Sequence, residues 1–429
     1  MTTGASLGPR ATRIVCLVIA GVLLASAIRN IKEDGDFRGY MEVGELVLQG
    51  ADIYAESRPD VNTWPPLYAV VCIPFALLAR VNVYLARAVW LGLNFACIAA
   101  LFRLAVALVH RRPLTLHGTG GSVALASVAV LGPLVLSARF LLGNLDRLQI
   151  NMVILAACLL GSLWIVRGRQ AAGGALIGFA AAVKVLPIFF LPYFAWKRWW
   201  PAFGAALATG AVASCAPILV YGPGRFVEYV RHWVALSAGS WPVRKGNQSV
   251  YAMVDRLYTH DAIVWDASQK RLTASNDPVV ALIVYGLLAV VVAVFVIAAR
   301  RGGRSRASAA TTIELAIVLC VTVLFAPLAW KHYFVFLLLG QFVLWHAAFG
   351  GGYALSDVAR RRFAWALALS YALTTLTVRG LVGKTLAQTF ETMSNVTLGA
   401  LVVLASLLWL RALVGAAEER AEASSVAET

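Results

Sequence analysis

The sequence predicts an all-α, polytopic integral membrane protein, and three observations predict it. Of the 429 residues, 60% are hydrophobic and 14% charged, against about 45–50% and about 25% in ordinary soluble domains. The mean hydropathy is +0.76. The apolar residues form long runs, whereas the strands of a membrane barrel would alternate, so the spans are helices. A single water-soluble core stops growing near about 250–300 residues, so a soluble, disordered or fibrous chain is excluded. The net charge of +16 comes from short basic clusters between apolar runs, where it sets topology and meets anionic headgroups. No nucleic-acid motif accompanies it, and no nucleic-acid partner is expected.

The elements follow in order. Arg10 and Arg13 precede the apolar run Ile14–Ile28, read as an uncleaved first span whose basic start faces the cytoplasm. Residues 29–64 form a first outer loop with eight acids against four bases. Within it Tyr40, Val43, Leu46 and Val47 recur at helical spacing, which predicts an interfacial amphipathic helix. Apolar runs follow at Leu67–Leu78, Tyr84–Val109, Val123–Leu136, Ile150–Val166, Ala171–Trp196, Trp199–Tyr221, Val279–Ala299, Thr312–Leu328, Tyr333–Phe349, Phe363–Thr377 and Val396–Leu413.

Basic clusters at Arg111-Arg112, Arg167–Arg169, Lys197-Arg198, Arg300–Arg306 and Arg360–Arg362 are placed inside. Ala171–Trp196 is basic at both ends, so a hairpin of two short helices meeting near Lys184 fits better than one crossing. Leu67–Leu78 is short, contains Pro74, and either spans or is re-entrant. The expectation is one domain over 1–415 with about 10–13 hydrophobic helices, a large outer loop at 222–278, and a disordered cytoplasmic tail at 416–429. Both termini are expected inside. The polar islands 29–64, 139–151, 222–278, 330–332 and 379–395 then share the outer face.

The six cysteines all lie in apolar segments and form no CxxC pair, and no HExxH is present, so neither a disulfide framework nor a metal site is expected. GLVGKT at Gly380–Thr385 lacks the first glycine of a P-loop, because position 378 is Val378. Asp36 is a candidate base, or else a solvated loop acid or helix N-cap; Glu33 and Asp34 are weaker neighbours, and Asp146 and Asp255 more remote ones. Lys184 lies inside an apolar run, where a charge costs about 2.5–3.5 kcal/mol. It has a phosphate or carboxylate partner, or it snorkels to an interface. Lys331 and His332 stand at a span boundary, beside Trp330 and Tyr333, where a phosphate or acceptor role competes with an aromatic belt. Asn247-Gln248-Ser249 also spells a glycosylation acceptor.

GDFRGYMEVGELVLQGADIY at Gly35–Tyr54, followed by NTWPPLYAVVCIP at Asn62–Pro74, resembles the opening of family 87 glycosyltransferases, membrane enzymes of the GT-C class. Asp36-Phe37, Tyr40, Gly44, Gly50, Tyr54 and Pro65-Pro66 fit in order. Gln149 and Asn151 match a Gly-Gln-x-Asn segment whose glycine is Leu148 here. Lys184 and Pro187, Asn247-Gln248-Ser249, and Lys331-His332 within APLAWKHYFV continue the resemblance to about position 350.

The resemblance implies sugar transfer, most often of mannose, from a polyprenyl-phosphate donor to a glycolipid or cell-envelope glycan at the outer face, with inversion. Asp36 would be the catalytic base. Arg38, Tyr40, Gln149, Asn151, Lys184, Asn247, Gln248, Ser249, Lys331 and His332 would contact donor or acceptor. No cofactor and no divalent metal are expected, the polyprenyl-phosphate sugar being a co-substrate. An arabinofuranosyltransferase of the same class, and a transporter or flippase for a lipid-linked sugar, are the alternatives.

Overall fold

The structure, a computed structural model, describes residues 8–33, 35–54, 64–238, 241–242, 246–259, 274–275, 277–302 and 305–427. Asp34, Asn62 and the segment 260–273 of the large loop lie outside the described residues. Almost every element is a helix. In chain order they are α1 (Pro9–Asn30), α2 (Phe37–Leu48), α3 (Pro66–Val81), α4 (Val83–Val109), α5 (Val128–Arg147), α6 (Asn151–Val166), α7 (Gln170–Val183), a 3-10 turn at Leu186–Phe189, and α8 (Phe190–Trp196). Then come α9 (Trp200–Cys215), α10 (Ile218–Tyr221), α11 (Pro223–Ala238), α12 (Val250–Thr259), α13 (Pro278–Ala299), α14 (Ala309–Leu324) and a 3-10 segment at Lys331–Leu337. The chain closes with α15 (Leu338–Phe349), α16 (Asp357–Thr374), α17 (Arg379–Val382), α18 (Lys384–Thr392) and α19 (Asn395–Ala427). Two short strand pairs, Leu114–Thr115 with Val123–Ala124 and Trp241–Pro242 with Ala274–Ser275, are the described sheet.

Among the described residues, seven helices are long and apolar enough to cross a membrane, and five shorter apolar helices of 10–17 residues accompany them. That agrees with the hydrophobic helices expected from the sequence. The starts of several are dictated locally. Ser308 accepts from the Thr311 N–H and Ser356 from the Ala359 N–H, each satisfying one donor that a helix start leaves orphaned. Pro66 and Pro278 occupy the first turn, where the missing N–H costs nothing.

The contacts divide the chain into two compact units. One comprises 14–104 and 141–240. In it α2 and α3 run side by side, with Gly44 so close to α3 that a Cβ there would lie 2.7 Å from the Cys72 carbonyl oxygen. Arg80 at the end of α3 pairs with Glu45 of α2 at 2.8 Å. Arg87, early in α4, donates to the Ile31 carbonyl just beyond α1. The start of α4 therefore lies beside the end of α1, and the end of α3 beside α2.

The hairpin at Lys184 is present. Gly161 meets Ile177 and Gly173 meets Ile165, which makes α6 and α7 antiparallel. Gly174 meets Ala202, and Gly178 meets Ala206, with a Cβ at either glycine 2.1 Å from the facing carbonyl oxygen. Those pairs advance in the same direction, so α7 and α9 are parallel. The 3-10 turn and α8 must bring the chain back between them, and Lys184 sits at the reversal in extended conformation (φ −147°, ψ 113°).

The other unit comprises 1–13, 105–140 and 241–429. Its centre is α14, buried along its whole length and flanked by α15 and α19. Glu314 of α14 and Arg411 of α19 are both fully buried and 2.8 Å apart. Arg411 also donates to the carbonyls of Arg301 and Ala299, so its charge is satisfied from three directions. Removing one partner of such a pair costs about 3–5 kcal/mol.

Two boundaries differ from the sequence reading. The helix α5 runs to Arg147, past the expected end at Leu136. The 416–429 tail, expected to be disordered, is helical through Ala427. Its alanines and glutamates are good helix formers continuing an existing helix, with no nucleation cost, and Glu419 lies 3.6 Å from Arg301.

Candidate functional site

Asp36 stands immediately before α2, yet its side chain makes no capping hydrogen bond. The carboxylate is half-buried and instead accepts from the Gln149 side-chain amide. The Asp36 N–H donates to the Arg147 carbonyl at 2.9 Å. That approach needs Gly35, which adopts φ +50° and whose missing Cβ would lie 2.8 Å from the same carbonyl oxygen. The Tyr40 hydroxyl donates to Gln149 Oε1 at 3.3 Å. With its oxygen taken by Tyr40, the Gln149 amide must turn its N–H₂ toward Asp36. Tyr40 is held by the rings of Phe37, Trp64, Tyr68 and Trp90, with centroids 5.0–6.0 Å away.

Behind Gln149 a polar chain runs into the apolar interior. The Gln149 N–H donates to the Asn144 carbonyl at 2.9 Å. Asn151 Nδ2 donates to Asn144 Oδ1 at 3.0 Å, and Lys184 Nζ to Asn151 Oδ1 at 2.6 Å. Asn144 and Asn151 are fully buried, and Lys184 nearly so. Burial raises the Asp36 pKa above the usual carboxylate value, against the opposing pull of the Arg147 and Lys184 charges and of the Gln149 hydrogen bond.

Leu148, between α5 and α6, lies in the left-handed region at φ +52°, which costs a side-chain-bearing residue roughly 1–2 kcal/mol. The side chain is buried, and the carbonyl that this conformation presents accepts from Trp90 Nε1 at 2.7 Å.

A second polar cluster lies in the other unit. Asn247, Gln248 and Ser249 are fully buried. Asn247 Oδ1 accepts from the N–H groups of Ser249 and Ala329, and Asn247 Nδ2 donates to the Pro327 carbonyl. Gln248 Nε2 donates to the Glu391 carbonyl, and Gln248 Oε1 accepts from the Val396 N–H. Arg256 donates to the Asn247 carbonyl and to Ser394 Oγ. The triplet thus ties 327–329 to 391–396. Beside it Lys331 Nζ donates to Glu391 Oε1 at 2.6 Å, and the His332 ring packs edge-on against Tyr333 with centroids 5.0 Å apart. Among the described residues no three His, Cys, Asp or Glu side chains group as a metal-binding set.

Glycosyltransferase family 87 matches residues 62–323, more than half of the sequence. The chain belongs to glycosyltransferase family 87. A relative from Mycolicibacterium smegmatis, a polyprenol-phosphate-mannose-dependent alpha-(1-2)-phosphatidylinositol mannoside mannosyltransferase, is 27% identical over 359 residues, covering 80% of this chain and 72% of that one. Among solved structures, ArnT from Cupriavidus metallidurans bound to undecaprenyl phosphate has a TM-score of 0.42 at 14% identity, covering 94% of this chain and 78% of that chain. Its apo state has a TM-score of 0.41 at 13% identity, with the same coverage.

For a family 87 glycosyltransferase the placement of the expected residues is instructive. Asp36, Tyr40, Gln149, Asn151 and Lys184 come together from three separate segments. Arg38 does not join them, because it is exposed and pairs with Glu42 one turn on at 2.7 Å. Asn247, Gln248 and Ser249, expected to touch donor or acceptor, spend their side-chain bonds on the protein's own backbone. Their burial also removes Asn247 as a glycosylation acceptor. Arg147, Asn144 and Glu391 were missed. All three lie in polar islands visible in the sequence, but nothing in one chain says which polar residue of an island turns inward.

Two expectations follow. Asp36 must be ionised to act as a base, so kcat/KM falls as pH drops through its pKa. Gln149→Leu and Lys184→Met each remove a group that favours the carboxylate, so each moves this acidic limb to higher pH; a limb that stays put removes Asp36 from the rate. For Leu148, Leu148→Ala forfeits core contacts at about 2–5 kcal/mol and keeps the strained backbone. Leu148→Gly loses the same contacts but relieves the strain, so it should be at least as stable in thermal unfolding in detergent. A glycine variant clearly below the alanine one would show that the conformation is not strained.

Proposed function

We propose that this chain transfers a sugar, read as mannose, from a polyprenyl-phosphate donor to a glycolipid or cell-envelope glycan, inverting the anomeric centre. The observation that carries the reading is the Asp36 carboxylate. It is released from helix capping, half-exposed, aimed by Gln149, and within the field of Arg147 and Lys184. The dependence of the M. smegmatis relative on polyprenol-phosphate-mannose supports the donor class.

In the proposed step the acceptor hydroxyl oxygen attacks the anomeric carbon from the face opposite the phosphate. The new glycosidic bond forms as the bond from that carbon to the phosphate oxygen breaks. The acceptor proton passes to Asp36, and the electron pair leaves on the polyprenyl phosphate. A phosphate leaves as an anion without protonation, so one carboxylate suffices, unlike the two of most glycoside hydrolases. Arg147 and Lys184 supply positive charge to the departing phosphate, and the step uses no divalent ion. A flippase would need no such base.

The decisive measurement is donor binding and turnover on purified Asp36→Asn. Asn keeps the size and most hydrogen bonds but takes no proton, so binding should persist while transfer falls by about 10²–10⁴-fold. Wild-type turnover should survive chelation. Near-normal transfer by the variant, or donor moved with its phosphate–sugar bond intact by the wild type, overturns the reading.

The reaction is proposed for the outer face. The five basic clusters, placed inside, support that side for the loop that carries Asp36. A cysteine at position 36 in a cysteine-free background should react with a membrane-impermeant maleimide in intact cells. Labelling that requires permeabilised cells reverses the orientation.

A further inference from the structure

A cavity lies wholly within the unit built on α14, away from the helix end that carries Lys331 and His332. Its volume is about 780 Å³, the size of a small-molecule site. It is walled by the end of α4, the loop that follows, the start of α14, the last turn of α15 and the glycine triplet at 350–352. Five basic side chains line it, His110, Arg111, Arg112, His117 and His346, and none of the described lining residues is acidic.

Basic residues next to spans are common, and topology alone accounts for their charge. It does not account for the construction. The His110 and His346 rings meet edge to face with centroids 4.6 Å apart. The glycine triplet wraps His346 so closely that a Cβ at Gly350 would lie 2.1 Å from its Nδ1, and one at Gly352 would lie 1.8 Å from its Nε2. His346 Nδ1 is buried and has no hydrogen-bond partner among the described residues. Arg111 is held in the left-handed region at φ +56°, a strain of the kind that concentrates at ligand sites. Thr119 and Ser122, also in the lining, form a turn whose side-chain oxygens are 3.0 Å apart.

We infer that this cavity binds a phosphate-bearing ligand, either the headgroup of an anionic lipid or a soluble phosphate compound. The concave shape, the Arg111 and Arg112 guanidiniums with no described carboxylate in the lining, and the hydroxyl donors together suit phosphate oxygens. Arg112 and Arg111 at the mouth would meet the anion first, and the histidine pair would receive it. The glycosyl-transfer chemistry assigned to Asp36 plays no part in this site.

The test uses the purified full-length protein in neutral detergent. Inorganic phosphate is one probe, and dioleoyl phosphatidic acid in mixed micelles is the other, with phosphatidylcholine as control. The readout is carbethoxylation of the exposed His117 by diethyl pyrocarbonate, followed by peptide mass spectrometry. At least one phosphate probe should protect His117 saturably. Protection by the lipid alone assigns the headgroup, and protection by both assigns a soluble phosphate compound. Thr119→Glu places a carboxylate on an exposed turn without removing any basic group. It should raise the half-protecting concentration by about tenfold or more, the effect of one lost charge-assisted hydrogen bond. The pair Arg111→Asn and Arg112→Gln should do the same, asparagine being tolerant of the left-handed backbone. Glycosyl transfer should be unchanged in both. No protection by either probe, equal protection by phosphatidylcholine, or undiminished protection in Thr119→Glu overturns the proposal.

Discussion

The site depends on what a buried ammonium requires. Lys184 ends a helix of apolar and small residues, and an unsatisfied charge there would be expelled or neutralised. Asn151 Oδ1 accepts its hydrogen bond, Asn144 holds Asn151 in place, and the same Asn144 receives the Gln149 backbone N–H. Gln149, so positioned, orients Asp36. The desolvated cation and the candidate base are two ends of one hydrogen-bonded series. Each member is fixed because its neighbour leaves it a single way to be satisfied.

Close backbone approach makes that series geometrically possible. Gly35 lets the segment before α2 touch the end of α5, and Gly44 lets α2 lie against α3. Leu148 performs a related task without being glycine. It accepts the left-handed conformation, keeps its side chain in the core, and turns its carbonyl to the Trp90 indole. The family segment that it resembles has glycine at this place, the residue that adopts such a backbone without a side-chain penalty. Aromatic rings around Tyr40 then exclude water from the shared hydrogen bonds.

Much of this was legible in the sequence. Long apolar runs announced the helices, because length and hydropathy are properties of single segments. The reversal at Lys184 was legible from charge, since basic residues at both ends of one run cannot both face inside after one crossing. Asp36, Gln149, Asn151 and Lys184 were found as motif residues. Which polar groups turn inward was not legible. Arg38 spends its charge one turn along its own helix, whereas Arg147, less conspicuous in its island, faces the carboxylate. Asn247, Gln248 and Ser249 look like ligands in a loop, yet several of their partners are carbonyls and amides some 80 to 150 positions away, and a backbone amide has no signature in a sequence. The helical tail was missed because its charge suggested solvent, while its alanines continued a helix already nucleated.

The paired strokes of α7 and α8 carry a consequence for topological parity. A stroke toward one face followed by a return adds no net crossing, as the parallel alignment of α7 with α9 records. The there-and-back pair at 170–198 therefore leaves the parity of every downstream crossing unchanged. A lone span inserted at the same point would send every later element to the wrong face. The chain thus presents its lysine at the tip of a there-and-back pair of strokes, and the face on which the following two hundred or so residues begin does not depend on that pair.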